Sequence, residues 1–226
     1  MIVRYRWYRL KSPIGYASLL DSMKQEPITP DKDRGYFLLH SDDKEIKFKF
    51  FWRVKITATT LDSEGNTFNE ELYSLNSQDC ILTKISDKYL LRLENPGRSS
   101  RELFNSLEEL TGMGFYAKAL ALSNEDVNEI LKNIDAFKLT SIKLTGGVEN
   151  NEMIARIDLA SKKGIVLENL AMLEGVKYKT DSAAYEIMTK GIKGNLSYTP
   201  TGLVRLSGQL SPMLLALIEN SMLEKV

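Results

Sequence analysis

The chain has 226 residues, 43% of them apolar and 27% charged, with 30 Lys and Arg balanced by 30 Asp and Glu. That length allows one large domain or two small ones, with enough core to stand without staples. One cysteine excludes an intrachain disulfide and fits a reducing compartment, and a net charge of zero means that any nucleic-acid contact must come from a local patch.

Residues 2–10 read as a first strand, with Val3, Tyr5 and Trp7 on one parity and Ile2, Arg4, Arg6 and Tyr8 on the other. Charges at every second position leave no apolar run for a signal peptide. No window of about 18 apolar residues could span a membrane, and neither end carries a lipidation signal. The expected setting is cytoplasmic, with no membrane partner. Pro13, Pro27, Pro30 and the run Asp31–Arg34 make 12–34 a loop region, with a short helix over Ala17–Lys24.

Gly35–His40 reads as a strand that turns at Ser41-Asp42-Asp43 into a long strand over 44–60, a hairpin. In the long strand Ile46, Phe48, Phe50, Trp52, Val54, Ile56 and Ala58 share one face, and Lys47, Lys49, Phe51, Arg53 and Lys55 share the other. Burying each large apolar side chain contributes roughly 1.5–3 kcal/mol, so the whole greasy face is expected inside. A strand of this length is expected to twist strongly or to bulge near Phe51–Trp52. Asp62–Asn66 is a turn, followed by strands near 67–75, 80–86 and 88–94, and Asn95-Pro96-Gly97 closes the run.

At Arg98 the pattern changes from period two to helical. Ser99 and Glu102 form a capping-box signature ahead of Leu103, Phe104, Leu107 and Leu110, with Gly112 at the end. A short strand near 115–122 leads to a second capped helix opening at Ser123, with Val127, Ile130, Leu131 and Ile134 on one face. The remainder resembles a weak duplication over 124–174 and 176–226. The first copy has strands near 137–145 and 152–160 about a Gly146-Gly147 turn, then a helix near 163–174. The second has strands near 176–189, 192–199 and 203–207 about a Lys190-Gly191 turn, then a helix capped by Ser211 with Pro212 in its first turn. That helix is apolar nearly all round over 213–218, which suits either burial or a partner surface. The expected fold class is α+β: an antiparallel β-rich unit over 1–97, then an α+β unit over 98–226 with helices packed on antiparallel strands.

Gly194–Gly208, with the helix that follows, resembles half a repeat of the TATA-binding-protein family: a hairpin, a step of small residues and glycine, then a helix. The resemblance covers about thirty residues and implies a shape only. The apolar wedge pairs which that family inserts into DNA have no counterpart here.

Four groups of residues carry candidate chemistry. Lys47, Lys49, Arg53 and Lys55 flank Phe51, with Arg4 and Arg6 on a possible neighbouring strand; such a row could track a phosphodiester backbone and stack a base. The alternative is that these cations only solvate the sheet or guard an edge, or that Phe51 lies under the 13–34 loop. Arg98, Ser99, Ser100 and Arg101 at a helix start could hold an anion, or simply cap and face water. His40 with Asp42, Asp43 and Glu45 could form a metal or general-base site, against turn chemistry at the aspartates. Cys80 reads as buried and inert. No phosphate loop, metal-ligand spacing or nucleophile motif is present, so no cofactor, metal or catalytic residue is assigned.

The first reading is a non-enzymatic module that contacts DNA or RNA through the basic strand face. The alternatives are an adaptor or complex subunit that binds a protein partner or its own copy, and a metal-dependent nuclease or hydrolase. If Lys47, Lys49, Arg53 and Lys55 each meet a carboxylate or lie beneath another segment, that docking surface is lost and the adaptor is what remains.

Overall fold

The computed structural model describes residues 1–132, 134–148, 153–167, 170, 173 and 177–226. Its contacts divide the chain into two compact units, Leu10–Ala117 and Met1–Arg9 together with Lys118–Val226. Among the described residues there are four helices and eleven strands, and the ladders named below are antiparallel.

Unit Leu10–Ala117 holds α1 (Tyr16–Gln25), β2 (Arg34–Ser41), β3 (Glu45–Leu61), β4 (Thr67–Ile85), β5 (Lys88–Glu94) and α2 (Arg101–Thr111), after β1 (Ile2–Lys11) has entered it. The sheet order is β2-β3-β4-β5. Ile46, Phe48 and Phe50 lie beside Leu82, Cys80 and Gln78 of β4, and all six are buried. Gln78 tolerates this because its amide donates to the Glu94 carbonyl at 2.7 Å and the Asp79 carbonyl at 3.0 Å. The polar run Asn76–Asp79 therefore does not break the chain, and the strands expected at 67–75 and 80–86 are one strand, β4. β3 and β4 pair without interruption; the bulge falls on β2, between Leu38 and His40, and not at Phe51–Trp52.

α2 belongs to this unit although the period changes at Arg98. Tyr36 donates its hydroxyl to Ser106 at 2.8 Å, Arg34 pairs with Glu109, and Leu103 and Leu107 are buried. The step at 97 is thus a change from strand to helix inside one unit. The expected Ser99–Glu102 box does not form: the helix begins at Arg101, Ser100 at the cap makes no side-chain bond, and Ser99 Oγ accepts the Arg101 N–H at 3.2 Å. Gly112 ends the helix at φ 84°.

The other unit holds residues 1–9 of β1, then α3 (Asn124–Lys132), β7 (Ala136–Val148), β8 (Met153–Ala160), β9 (Lys177–Thr189), β10 (Ile192–Tyr198), β11 (Leu203–Gly208) and α4 (Ser211–Leu223). β6 (Tyr116–Ala119) pairs with β1, and the Leu120 N–H donates to the Trp7 carbonyl at 2.9 Å. The sheet order is β1-β11-β10-β9-β7-β8. Gly146 and Gly147 lie within β7, opposite Ala155 and Ile154, rather than in a turn. The turn that joins β7 to β8, and part of the helix expected at 163–174, fall outside the described residues. Lys190 and Gly191 do turn the chain, both at positive φ.

One face of this sheet carries the core: Ile142, Leu144, Ala183, Ile187, Leu196, Tyr198, Val204 and Leu206 are buried. α4 packs on β10 and β11, and α3 packs on α4. A Cβ at Gly194 would stand 2.8 Å from Leu210 Cβ, so glycine is what lets the start of α4 come down onto β10. Ser123 and Asp126 cap α3 reciprocally: Asp126 Oδ2 accepts the Ser123 N–H at 2.6 Å and Ser123 Oγ accepts the Asp126 N–H at 3.2 Å. In α4 the cap is Leu210, not Ser211, whose hydroxyl donates to the Gly208 carbonyl at 2.8 Å. Only Leu214, Ile218 and Met222 of α4 are buried, a single line at helical spacing.

Candidate nucleic-acid interface

The cations of β3 have partners. Lys47 lies 3.2 Å from Glu45, Lys49 3.1 Å from Asp79, and Lys55 2.6 Å from Glu71. Arg53 donates its guanidinium to the Pro30 carbonyl and its N–H to the Asp33 carbonyl at 2.7 Å. The loop leans in beside Phe51 as well. Phe51 pairs with Gly35, and a Cβ on Gly35 would meet Ile28 N at 2.6 Å and the Pro27 carbonyl carbon at 2.7 Å. Phe51 is accordingly only half-exposed. Each exposed ion pair contributes little stability, about 0–1 kcal/mol, yet three carboxylates against four cations leave this face almost neutral. Three of its cations thus face a carboxylate and the fourth lies against the loop, which weakens the face as a surface for a polyanion.

Arg4 and Arg6 do not join that strand. The partners of β3 are β2 and β4, whereas Arg4 and Arg6 pair with Arg205 and Leu203 of β11. Arg98, Ser99 and Ser100 precede α2 with the Ser99 hydroxyl taken by the Arg101 N–H. At the β2–β3 turn, Asp42 Oδ1 accepts the N–H groups of Lys44 and Glu45 at 2.8 Å each, and Oδ2 lies 3.4 Å from His40 Nε2. Those two N–H bonds, followed by His40, hold the Asp42 carboxyl below its usual range. The aspartate is thus occupied in shaping the turn. Glu45 is paired with Lys47, and among the described residues no three His, Cys, Asp or Glu side chains gather as a metal site. Cys80 is buried, with Sγ 3.5 Å from the Gln78 carbonyl, and burial pushes its thiol up.

The second unit presents a different surface. Opposite the helices, the face of its sheet is open, and its side chains are half-buried or exposed. The registers join one row across six strands: Arg4, Arg205, Ser197, Ala184, Ser141 and Ala160. A parallel row on the Lys143 side carries Ser182, Lys143 and Asp158, with Arg6 and Leu203 at its other end. Beyond it Arg156, Thr145 and Lys179 are neighbours, and on the opposite flank Lys193 lies with Met188, and Lys138 with Glu186 and Asn195. Among the described residues nine cations (Arg4, Arg6, Lys138, Lys143, Arg156, Lys177, Lys179, Lys193, Arg205) thus share this face with three carboxylates (Asp158, Asp181, Glu186).

The carboxylates are already engaged. Lys143 lies 2.7 Å from Asp158, Glu186 serves both Lys138 at 3.3 Å and Lys193 at 3.9 Å, and Thr145 donates to Asp181. Among the described residues no carboxylate pairs with Arg205, Arg156 or Lys179. Arg6 donates to the Thr201 carbonyl at 3.4 Å and stands over the Tyr8 ring. Arg4 stands directly opposite Arg205 in the β1–β11 ladder. The small side chains of the central row floor a shallow cleft of about 490 Å³ reaching Arg205 and Lys143, and a second of about 750 Å³ lies by Lys138, Lys162 and Lys193.

From the sequence, Arg4 and Arg6 were recognised as candidates; Arg205, Arg156, Lys179 and Lys193 were not. The signal was the alternation Leu203-Val204-Arg205-Leu206-Ser207, which sets Arg205 on the polar side of its strand. What alternation does not encode is the pairing of Arg205 with Arg4, about two hundred positions away. No known family model matches this chain, and no curated protein matches it in sequence.

Proposed function

We propose that the chain is a non-enzymatic nucleic-acid-binding module that offers the open sheet face of β1, β11, β10, β9, β7 and β8 to a phosphodiester backbone. The observation that carries this is the charge asymmetry of that face, nine cations to three carboxylates among the described residues, in a chain whose net charge is zero. A phosphate over the central row would meet the Arg205 guanidinium, whose planar fork binds phosphate bidentately. The Ser and Ala side chains of the central row let a backbone approach closely. None of the row residues is aromatic, so the face suits phosphate contacts in a duplex rather than base stacking. This moves the basic surface expected at Lys47, Lys49, Arg53 and Lys55 to another strand set, and it keeps Arg4 and Arg6.

The test is fluorescence anisotropy with a labelled duplex and a labelled single strand of the same length. Lys138, Lys143 and Lys193 have carboxylate partners and Arg4 has contacts of its own, which leaves up to five cations (Arg6, Arg156, Lys177, Lys179 and Arg205) for phosphates. Each contributes about 0.7–0.9 to the log–log salt slope, so a slope of roughly −3.5 to −4.5 is expected. Arg205→Glu should weaken binding by more than about tenfold, and the combination Lys47→Glu, Lys49→Glu, Lys55→Glu should leave it unchanged. Absence of binding at low salt, or sensitivity to the β3 set with indifference to Arg205→Glu, would overturn the proposal. The adaptor reading is favoured by a separate observation, the outer half of the β3–β4 hairpin.

A further inference from the structure

The ladder of β2 on β3 ends at Arg34 opposite Trp52, and that of β5 on β4 ends at Glu94 opposite Asp79. From Arg53–Leu75 to Leu61–Thr67, β3 and β4 pair only with each other among the described residues. Nine residue pairs at about 3.4 Å make a ribbon roughly 30 Å long. A two-stranded ribbon alone is marginal in water. Its apolar face is also uncovered: Val54 is 39% exposed, Ile56 47%, Phe68 50% and Leu72 46%. These residues continue the parity that is fully buried at Ile46, Phe48 and Phe50.

The two edges of the ribbon differ. The β4 edge carries Glu70 beside Glu71, so two β4 edges laid antiparallel about that point would oppose like charges. The β3 edge from Val54 to Leu61 has no proline, no glycine and no bulge, and one charge, Lys55. It is rich in β-branched side chains: Val54, Ile56, Thr57, Thr59 and Thr60. Edge strands are usually guarded by charge, proline or a bulge, and this one is nearly unguarded.

We propose that this edge takes a second copy of the chain, β3 adding antiparallel to β3 about a twofold axis through Thr57. The register is self-complementary, as a twofold interface requires. It sets Lys55 opposite Thr59, Ile56 opposite Ala58, and Val54 opposite Thr60, with no like charges facing. Residues directly opposite in an antiparallel pair point to the same side, so the apolar faces of both ribbons merge on one side of a four-stranded sheet. Edge pairing over about eight residues buries well under the roughly 800 Å² per partner of a stable interface, so the dimer belongs to the weak class, with dissociation in the micromolar range.

Sedimentation of the full chain from about 1 to 200 µM, a span bracketing that range, should show a monomer–dimer equilibrium. Thr57→Lys sets like charges across the axis on a solvent-exposed site, and should give a monomer with an unchanged melting temperature. Thr57→Cys places the new thiols opposite each other within disulfide reach, and should cross-link under mild oxidation about tenfold faster than Glu64→Cys at the ribbon tip. Cys80 is buried and does not compete. A wild-type monomer throughout the range, a dimer that survives Thr57→Lys, or equal cross-linking at positions 57 and 64 would each overturn the proposal.

Discussion

Replacing Gly35 by alanine tests whether the 26–33 loop holds the β2 side of the basic strand. The added Cβ would lie 2.6 Å from Ile28 N and 2.7 Å from both Ile28 Cα and the Pro27 carbonyl carbon. Ordinary contact begins near 3.5 Å, so the loop must retreat by about 0.8–1 Å. All three atoms are backbone, and no flexible side chain can yield instead. The Ile28 N–H to Tyr36 carbonyl bond is already 3.3 Å long, and the Tyr36 N–H to Glu26 carbonyl bond is 2.9 Å. Overpacking costs about 1–3 kcal/mol and each lost bond about 0.5–1.5. A net loss of about 2–4 kcal/mol lowers the urea midpoint by roughly 1 M. Urea unfolding followed by tryptophan fluorescence measures this, and hydrogen exchange should find the Tyr36 amide unprotected. Gly97→Ala, whose added Cβ meets only Ser99 O at 3.9 Å, is the matched control and should shift stability by less than about 0.5 kcal/mol. An unchanged midpoint in Gly35→Ala, or a Tyr36 amide that keeps its protection, refutes the reasoning.

Two further outcomes are expected. Phe48→Ala empties a fully buried site between β2 and β4 and should cost about 3–5 kcal/mol, read from denaturant unfolding. Lys225→Met should weaken the protein near neutral pH, with the deficit closing in acid. Burial would raise the Asp126 carboxyl, but the bond from Lys225 and those from Ser123 outweigh it and hold the group below its usual range. Such a group stabilises the fold above the unfolded value of about 3.9, and that contribution is lost as pH falls through the folded value. Without Lys225 the folded value rises and less of that contribution exists, so an NMR titration should find Asp126 shifted up, and denaturant unfolding at several pH values should find the gap between variant and parent narrowing as pH falls.

Local features were legible in the sequence, and features set by distant pairing were not. The parity of β3, the turn at Asp62–Asn66 and the cap at Ser123 follow from nearest neighbours. The exposure of Val54 and Ile56 does not: the alternation runs on past Trp52, but β2 stops there, and a greasy parity says nothing about whether a neighbour covers it. The carboxylates that neutralise Lys49 and Lys55 were equally hidden. Asp79 and Glu71 reach them only through the register of β4, which was read as two separate strands. Arg205 stood in plain alternation, yet its significance comes from Arg4 at the other end of the chain.

That pairing of Ile2–Arg6 with Leu203–Ser207 bears on how the protein is made. Residues 10–117 form a unit continuous in the chain, and they can settle as soon as they leave the ribosome. The unit that contains β1 is interrupted by them. Its β1–β11 ladder must wait for about ninety more residues, roughly 5–20 s at ordinary rates of synthesis. During that interval one edge of this strand has no ladder partner, and the loop to be closed spans about two hundred residues, so this ladder is expected to form after the local hairpins.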